Sequence, residues 1–317
     1  MNRPYERFRG EPNMKIFEAT PVSNLYLQDV FMIGLEKYGC LYVFKTPKPA
    51  IVETGFSTTV SQTLEGLREL GIHPEDVAYI CPTHVHMDHA GGTSALAEAC
   101  PNAKVICHHL GAPHLIDPTK LIESVKRAVG PLFSYYGEMK PVPAERFVQV
   151  KGGEIFDLGD GYKLEVIDAP GHAPHQACFY EHNTSGLFTA DAVGIYRKDS
   201  TGFMLTTPPP AFHFEQSLET LDRFKKMKLD WLYFTHFGVH GEPYKLIDEY
   251  QEVLTEWVAE VEYKKRELKD DALVKEFFVQ KETPFLKDFY EPIMIRSEVE
   301  MNVQGVLLYL KKVRGLG

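Results

Sequence analysis

Three histidines and an aspartate fall within six consecutive residues, in the run Thr83-His84-Val85-His86-Met87-Asp88-His89. Imidazole nitrogens and carboxylate oxygens are the donors that Zn²⁺, Fe and Mn accept. So many polar groups in one short stretch are costly to bury as mere packing. Two histidines two apart, followed by an Asp-His pair, can face two neighbouring metal ions from one loop. The run therefore points to a metal-dependent enzyme.

A metal pair needs more donors than one loop supplies. Three candidates lie downstream: His172 in Ala169-Pro170-Gly171-His172, Asp191 in Thr189-Ala190-Asp191, and His236 in Phe234-Thr235-His236-Phe237-Gly238. Each follows an expected strand, so all three can share one sheet edge with the first run. Polar groups converging at strand ends are how α/β folds build sites.

The elements that must position these donors follow from the apolar pattern. Strands are expected over 24–28, 40–45 and 50–53. A helix over 58–70 carries Val60, Leu64 and Leu67 on one face and stops at Gly71. A short buried strand over 77–81 ends at Pro82, which places the histidine run on a strand-end loop. A helix (93–99), a strand (104–107) and a helix (118–129) come next. Residues 130–145 read as a Gly-, Pro- and aromatic-rich loop. Strands over 147–150, 154–158, 163–168, 177–181 and 186–191 form a second half, with a turn at 183–186. The order of strands and helices suggests two sheets packed face to face with helices outside. Beyond His236 an amphipathic stretch, 245–268, carries Leu246, Tyr250, Val253, Trp257 and Val261 on one stripe, and two helical segments follow within 270–317. This gives an arm over 1–13 expected to be disordered, a main domain over 14–240 and a helical extension over 241–317. The extension would pack on the main domain or on a second subunit.

The run His84-x-His86-x-Asp88-His89, with His172, Asp191 and His236 following in order, resembles the metallo-β-lactamase superfamily. The resemblance implies a four-layer αβ/βα sandwich with a dinuclear centre at the top of the two sheets. It also implies that His84, His86 and His172 bind one metal, that Asp88, His89 and His236 bind the other, and that Asp191 bridges them. The ions would be divalent, Zn²⁺ first, with Fe or Mn as alternatives. One departure stands out: the family usually has Asp where this chain has Glu53, in Val52-Glu53-Thr54-Gly55. That residue supports the ligand loop, and a longer side chain there shifts its hydrogen bonds without removing a ligand.

Two cations a few Å apart share a water whose pKa falls from 15.7 to about 7. Hydroxide is then available at neutral pH, with Asp88 placed to orient it. The expected chemistry is hydrolysis of an ester, thioester, lactone, amide or phosphodiester. Other residues are weaker candidates. His175 reads as a solvent-exposed loop histidine, with a place behind the ligands or facing substrate as the alternative. Tyr196 and His213 flank a long loop-like stretch, 194–213, that contains Pro208-Pro209-Pro210, and such loops often carry substrate contacts. Tyr135 and Tyr136 suit a pocket rim or interdomain packing. His108 and His109 end a strand and read as structural.

Composition limits the function classes. The 317 residues are 44% hydrophobic and 25% charged, with 34 Lys+Arg against 44 Asp+Glu and a net charge of −10. That balance disfavours a nucleic-acid binder, and hence an RNA-processing nuclease of the same family. Five scattered cysteines without a C-x-x-C pair fit reduced thiols in a cytoplasm. No apolar leader or span of ~20 apolar residues is visible, so neither secretion nor a membrane partner is expected. The leading expectation is a hydrolase of a small molecule, similar to the glyoxalase II and lactonase branches. The alternative is an iron oxidoreductase on the same scaffold, such as a sulfur dioxygenase. A flavodiiron-type reductase fits less well, because that group carries Glu where this chain has His86. A binding protein that has lost catalysis fits least, since none of the seven donors is missing. A homodimer is expected from the apolar stripe of 245–261.

Overall fold

The computed structural model describes residues 16–18, 23–197, 202–287 and 290–317. The arm expected over 1–13 lies outside the described residues. A seven-stranded sheet runs in sequence order: β1 (Ile16–Glu18), β2 (Leu25–Asp29), β3 (Cys40–Phe44), β4 (Ala50–Val52), β5 (Tyr79–Cys81), β6 (Lys104–His108) and β7 (Phe147–Val150). It is antiparallel from β1 to β4 and parallel from β4 to β7. A second sheet begins with β8 (Ile155–Gly159), β9 (Tyr162–Asp168), β10 (Ala177–Glu181) and β11 (Gly186–Phe188). A separate hairpin follows, β12 (Ile195–Arg197) and β13 (Gly202–Met204). The chain then returns to the second sheet with β14 (Trp231–Tyr233) and β15 (Val239–His240), giving the order β15-β14-β11-β10-β9-β8.

The pleat explains the layering. In β3, Cys40, Tyr42 and Phe44 face one way and meet Val166, Phe179, Phe188 and Tyr233 of the second sheet. Leu41 and Val43 face the other way, into a core shared with Val60, Leu67, Leu96 and Leu115. Those residues come from α1 (Val60–Glu69), α3 (Thr93–Ala99) and α4 (Ala112–Ile116), with the single turn α2 (Met87–Ala90) between the first two and α5 (Thr119–Val129) after them. The far face of the second sheet, with Cys178, Leu187 and Leu232, packs on α6 (Phe214–Phe224), α7 (Pro243–Leu268), α8 (Asp271–Leu286) and α9 (Pro292–Val313). Helix, sheet, sheet, helix is the four-layer sandwich expected. The stripe Leu246, Tyr250, Trp257 and Val261 is spent inside this core, while Val253 is only partly buried.

Several expectations are corrected. Helices α2, α4 and α6 were not read; α6 has Phe214, Leu221 and Phe224 on its buried face, a signal weakened by the prolines just before it. The stretch 194–213 is not without structure, because Tyr196 and Phe203 pair across the β12–β13 hairpin with ring centroids 4.9 Å apart. The strand expected over 186–191 stops at Phe188, and Ala190 takes a left-handed φ of 47° that turns the chain before Asp191. Within 130–145 the run Gly130–Tyr135 is a 3-10 helix. One close approach fixes the C-terminal helices: α9 crosses the 206–207 segment at Gly305, where a Cβ would run into the Thr207 carbonyl. There Asn302 Oδ1 accepts from Thr207 N at 2.6 Å, and Thr207 Oγ1 donates to the Asn302 carbonyl at 3.0 Å.

Candidate metal centre

The donors emerge at one edge because the strands that carry them are aligned. Val52 pairs with Cys81 in parallel, so Glu53 and Thr83 leave β4 and β5 side by side. Phe188 pairs with Tyr233 in parallel, so Asp191 and His236 leave β11 and β14 together. Across the sheets, Ala177 N donates to Thr83 O and Cys40 N donates to Thr235 O, both at 2.8 Å. Within the histidine run a bend over 83–86 leads into the α2 turn, and together they sort the side chains. Val85 and Met87 sink into the core of the first sheet, while His84, His86 and Asp88 take the other side. The α2 turn, begun by His86 O accepting from Ala90 N at 2.8 Å, then brings in His89.

Two donor sets result: His84, His86, His172 and Asp191 in one, Asp88, His89 and His236 in the other. His84 Nε2 lies 2.9 Å from His86 Nδ1 and 3.2 Å from His172 Nε2, and His86 Nδ1 lies 2.9 Å from His172 Nε2. The two oxygens of Asp191 divide between the sets. Oδ2 is 3.3 Å from His172 Nε2, while Oδ1 is 3.4 Å from His89 Nε2 and 3.5 Å from His236 Nε2. Asp88 Oδ2 completes the second set at 3.4 Å from His89 Nε2 and 3.5 Å from His236 Nε2.

The surroundings fix which imidazole nitrogen is available. A carbonyl only accepts, so His172 Nδ1–H donates to Thr206 O at 2.9 Å and His236 Nδ1–H to Tyr38 O at 3.2 Å. His89 Nδ1–H donates to Glu53 Oε1 at 2.9 Å. Thr83 Oγ1 donates to the same carboxylate at 2.7 Å, so His84 Nδ1–H, 3.2 Å away, donates to Thr83. In the neutral imidazoles four Nε2 lone pairs are thus aimed inward. Among the described residues His89 Nε2 and Asp191 Oδ1 are buried with no hydrogen-bond partner at all. Converging lone pairs and orphaned acceptors repel one another unless a cation lies between them. Donors about 2.0–2.1 Å from a tetrahedral ion sit roughly 3.3 Å apart. The residues present therefore fit divalent metal.

Electrostatics separate the two sets. Burial, reinforced by neighbouring imidazoles, pushes His84 well down and His86 to about 3; burial also lowers His172. Burial would lower His89 and His236 too, but the carboxylates of Asp191 and Asp88 outweigh it and raise both. Burial opposes ionisation of Asp88 and Asp191, yet the imidazoles beside them hold both carboxyls low.

Glu53 ties the loops together. It is 1% exposed, has φ 72°, and accepts from Thr83 Oγ1, His89 Nδ1 and, at 2.8 Å, Thr235 Oγ1. His175 corrects the expectation of a solvent-exposed loop histidine. It is partly buried, its ring centroid lies 6.2 Å from His84 and 5.9 Å from His86, and its Nδ1 is enclosed without a partner. Tyr196 and His213 are not brought to the donors. Tyr196 packs on Phe203, Phe234 and His240. The His213 side chain caps α6 at Gln216 N, while its backbone N–H holds Gly171 O at 2.8 Å beside His172. Tyr136 packs on Phe56 with centroids 4.4 Å apart. His108 is buried with Nε2 3.5 Å from Asp168 Oδ1. Sequence reasoning missed Thr83, Thr235, Tyr38 and Thr206. The first two could have been found as the partners in two Thr-His pairs, whereas Tyr38 and Thr206 act through carbonyls that any residue has.

Two sheets carrying seven convergent His and Asp donors define a metalloenzyme scaffold. The chain belongs to the metallo-β-lactamase superfamily, whose family model matches residues 40–236. It is 33% identical over 165 residues to the metallo-beta-lactamase fold-containing protein ST1585 of Sulfurisphaera tokodaii, over 51% of this chain and 60% of that protein. The crystal structure of ST1585 from Sulfolobus tokodaii superimposes with a TM-score of 0.65 at 24% identity, over 90% of this chain and 99% of that one. An N-acyl homoserine lactonase of Bacillus sp is 28% identical over 54% of this chain and 59% of its own. A putative diflavin flavoprotein A 1 of Nostoc sp. is 27% identical over 50% of this chain, but over only 24% of its own length. The chain thus spans three fifths or less of these curated relatives. No helix among the described residues is long and apolar enough to cross a membrane.

Proposed function

We propose that the protein is a dinuclear zinc hydrolase acting on an ester, thioester or lactone of a small molecule, in the cytoplasm. The carrying observation is the division of Asp191 between the two donor sets, Oδ2 toward one and Oδ1 toward the other. Bound divalent ions would supply Lewis acidity toward a carbonyl oxygen and a water acidified from 15.7 to about 7. His84, His86 and His172 would hold one ion, Asp88, His89 and His236 the other, with Asp191 between. Asp88 has the most open side chain of the donor carboxylates, 28% exposed against 6% for Asp191. It is the group that can orient the attacking water by accepting its hydrogen bond. His175 stands beside His84 and His86, facing the centre without a ligand role. The relative named as an N-acyl homoserine lactonase supports a carbonyl substrate. With a net charge of −10, we place neither nucleic acid nor membrane among the partners. The homodimer becomes a question for sedimentation, since the stripe that suggested it packs within the chain.

A second reading is an iron oxidoreductase on the same scaffold, such as a sulfur dioxygenase; the relatives named as diflavin flavoproteins support oxidoreductase chemistry on this fold, though not that substrate. Metal analysis of protein purified without added metal, joined to a hydrolysis panel, separates the two. About two zincs per chain with turnover of a thioester or lactone supports the hydrolase. One iron per chain, with oxygen consumed on a persulfide and no hydrolysis, overturns it.

A further inference from the structure

Beside the metal centre lies a cavity of about 490 Å³, within the ~300–1,000 Å³ typical of small-molecule sites. Met204 and Leu205 form one wall, Trp257 of α7 and Phe285 of α8 the others, and two carboxylates, Glu282 and Glu298, enter from α8 and α9. Among the described residues no lysine or arginine lines it.

The cavity adjoins the metal centre across a thin layer of packed residues. Leu205 precedes Thr206, whose carbonyl orients His172 and whose hydroxyl donates to Asp191 O at 2.8 Å. The Tyr290 hydroxyl reaches Met204 Sδ at 3.6 Å, and its ring stands edge-on to Tyr38 at 5.8 Å. Tyr38 in turn stands edge-on to His236 at 6.0 Å. Glu298 is near enough for the charges of Asp88, His236 and Asp191 to act on it.

Glu298 has no evident structural task. Among the described residues its carboxyl makes no hydrogen bond or ion pair; only its backbone carbonyl is engaged, by Asn302 Nδ2. Burial pushes that carboxyl up to about 7, with the Asp88 charge adding to the effect. Burial raises Glu282 as well, and the nearest cation, Lys281, is 3.9 Å away and pairs more closely with Glu260. Both carboxylates are partly buried; a half-desolvated carboxylate without a partner is costly, and a ligand cation is the group that offsets it.

We propose that this cavity receives the non-reacting part of the substrate, that it takes an apolar group bearing a protonated amine, and that Glu298 selects that amine. The apolar part is buried against Met204, Leu205, Trp257 and Phe285. The ammonium meets Glu298, with the Trp257 ring offering a π face in the same wall. A ligand carboxylate is repelled by Glu282 and Glu298. The assignment deepens the hydrolase reading and rests on it for the word substrate, but the binding itself does not depend on turnover.

The test is a fluorescence titration of the full-length, metal-loaded protein carrying Trp231→Phe, which leaves Trp257 as the remaining one of two tryptophans. The probes are 2-phenylethylamine, 2-phenylethanol and 3-phenylpropionate at pH 8. The amine is expected to bind at least tenfold tighter than the alcohol, with the carboxylate weakest. Glu298→Gln should reduce the amine to the affinity of the alcohol. Val299→Phe, which narrows the cavity, should weaken amine and alcohol together by at least tenfold. Equal binding of the three probes, an amine preference that survives Glu298→Gln, or unaltered binding in Val299→Phe overturns the proposal. A protein that binds the amine in this way yet hydrolyses no ester, thioester or lactone overturns the hydrolase reading alone.

Discussion

Removing the Glu53 carboxylate should loosen three loops at once, and the backbone at that position allows its two contributions to be separated. The side chain accepts from Thr83 Oγ1 at 2.7 Å, Thr235 Oγ1 at 2.8 Å and His89 Nδ1 at 2.9 Å, all buried. A hydrogen bond to a charged acceptor is worth about 1.5–3 kcal/mol, and each abandoned buried donor costs about 1–3 kcal/mol. These terms share one acceptor and do not add fully. We expect Glu53→Ala to cost about 4–6 kcal/mol, a large share of the ~5–15 kcal/mol that holds a typical domain together. The φ of 72° contributes separately. A left-handed residue with a Cβ costs about 1–2 kcal/mol, which glycine avoids. Glu53→Gly should therefore be about 1 kcal/mol more stable than Glu53→Ala, although both lose the same carboxylate. Glu53→Gln, which keeps the shape and one acceptor oxygen, should fall between wild type and Ala. In Ala and Gly zinc affinity should drop about 10–100-fold, because His89 loses the acceptor that orients it, and Gln should lose affinity through the weaker, neutral acceptor. Urea unfolding of the metal-free proteins and chelator competition for zinc measure the two effects. Wild-type stability and zinc affinity in Glu53→Gln, or an Ala variant as stable as Gly, would refute the reasoning.

Other perturbations test other parts. His86→Ala and Asp191→Ala should each lose metal and activity together, as read by elemental analysis and turnover; full activity in either removes that residue from the donor set. Glu298 keeps its proton to about 7 in the folded chain against an ordinary value of 4.5, so folding takes up a proton between those pH values and stability falls as pH rises through them. Discounted for the part of the residue left open, Glu298→Gln should gain about 1–2 kcal/mol at pH 8 in urea unfolding, fading toward pH 4.5; a gain that does not vary with pH would show that the charge is not its source. All five cysteines are buried and burial raises each thiol, with Cys40 and Cys107 at about 12, so a disulfide reagent should titrate none in the native protein and five in denaturant. Gly305→Ala should drive α9 off the 206–207 segment and cost about 1–3 kcal/mol; an unchanged melting temperature would contradict the close approach described.

The layers were legible because β3 and its neighbours alternate strictly between two apolar faces, and the donor loops were legible because each follows a short apolar run closed by a polar residue. What escaped had weaker or borrowed signals. The α6 helix begins directly after a proline-rich segment, which reads as loop. Tyr196 and His213 were singled out by the composition around them, yet Tyr196 serves a hairpin and His213 a helix cap. Thr206 and Tyr38 orient ligands through backbone carbonyls, which leave no trace in residue type. Glu298 lies in a helix whose pattern speaks only of packing, and its nearness to Asp88 depends on where α9 crosses.

The donors straddle the seam between the two sheets: four follow β5 of the first, and His172, Asp191 and His236 follow β9, β11 and β14 of the second. A nascent chain presents the first four long before the last is synthesised, so neither donor set is complete until the two halves have docked. Metal uptake would then report assembly, and bound ions would act as a clasp whose binding free energy is added to the inter-sheet contact.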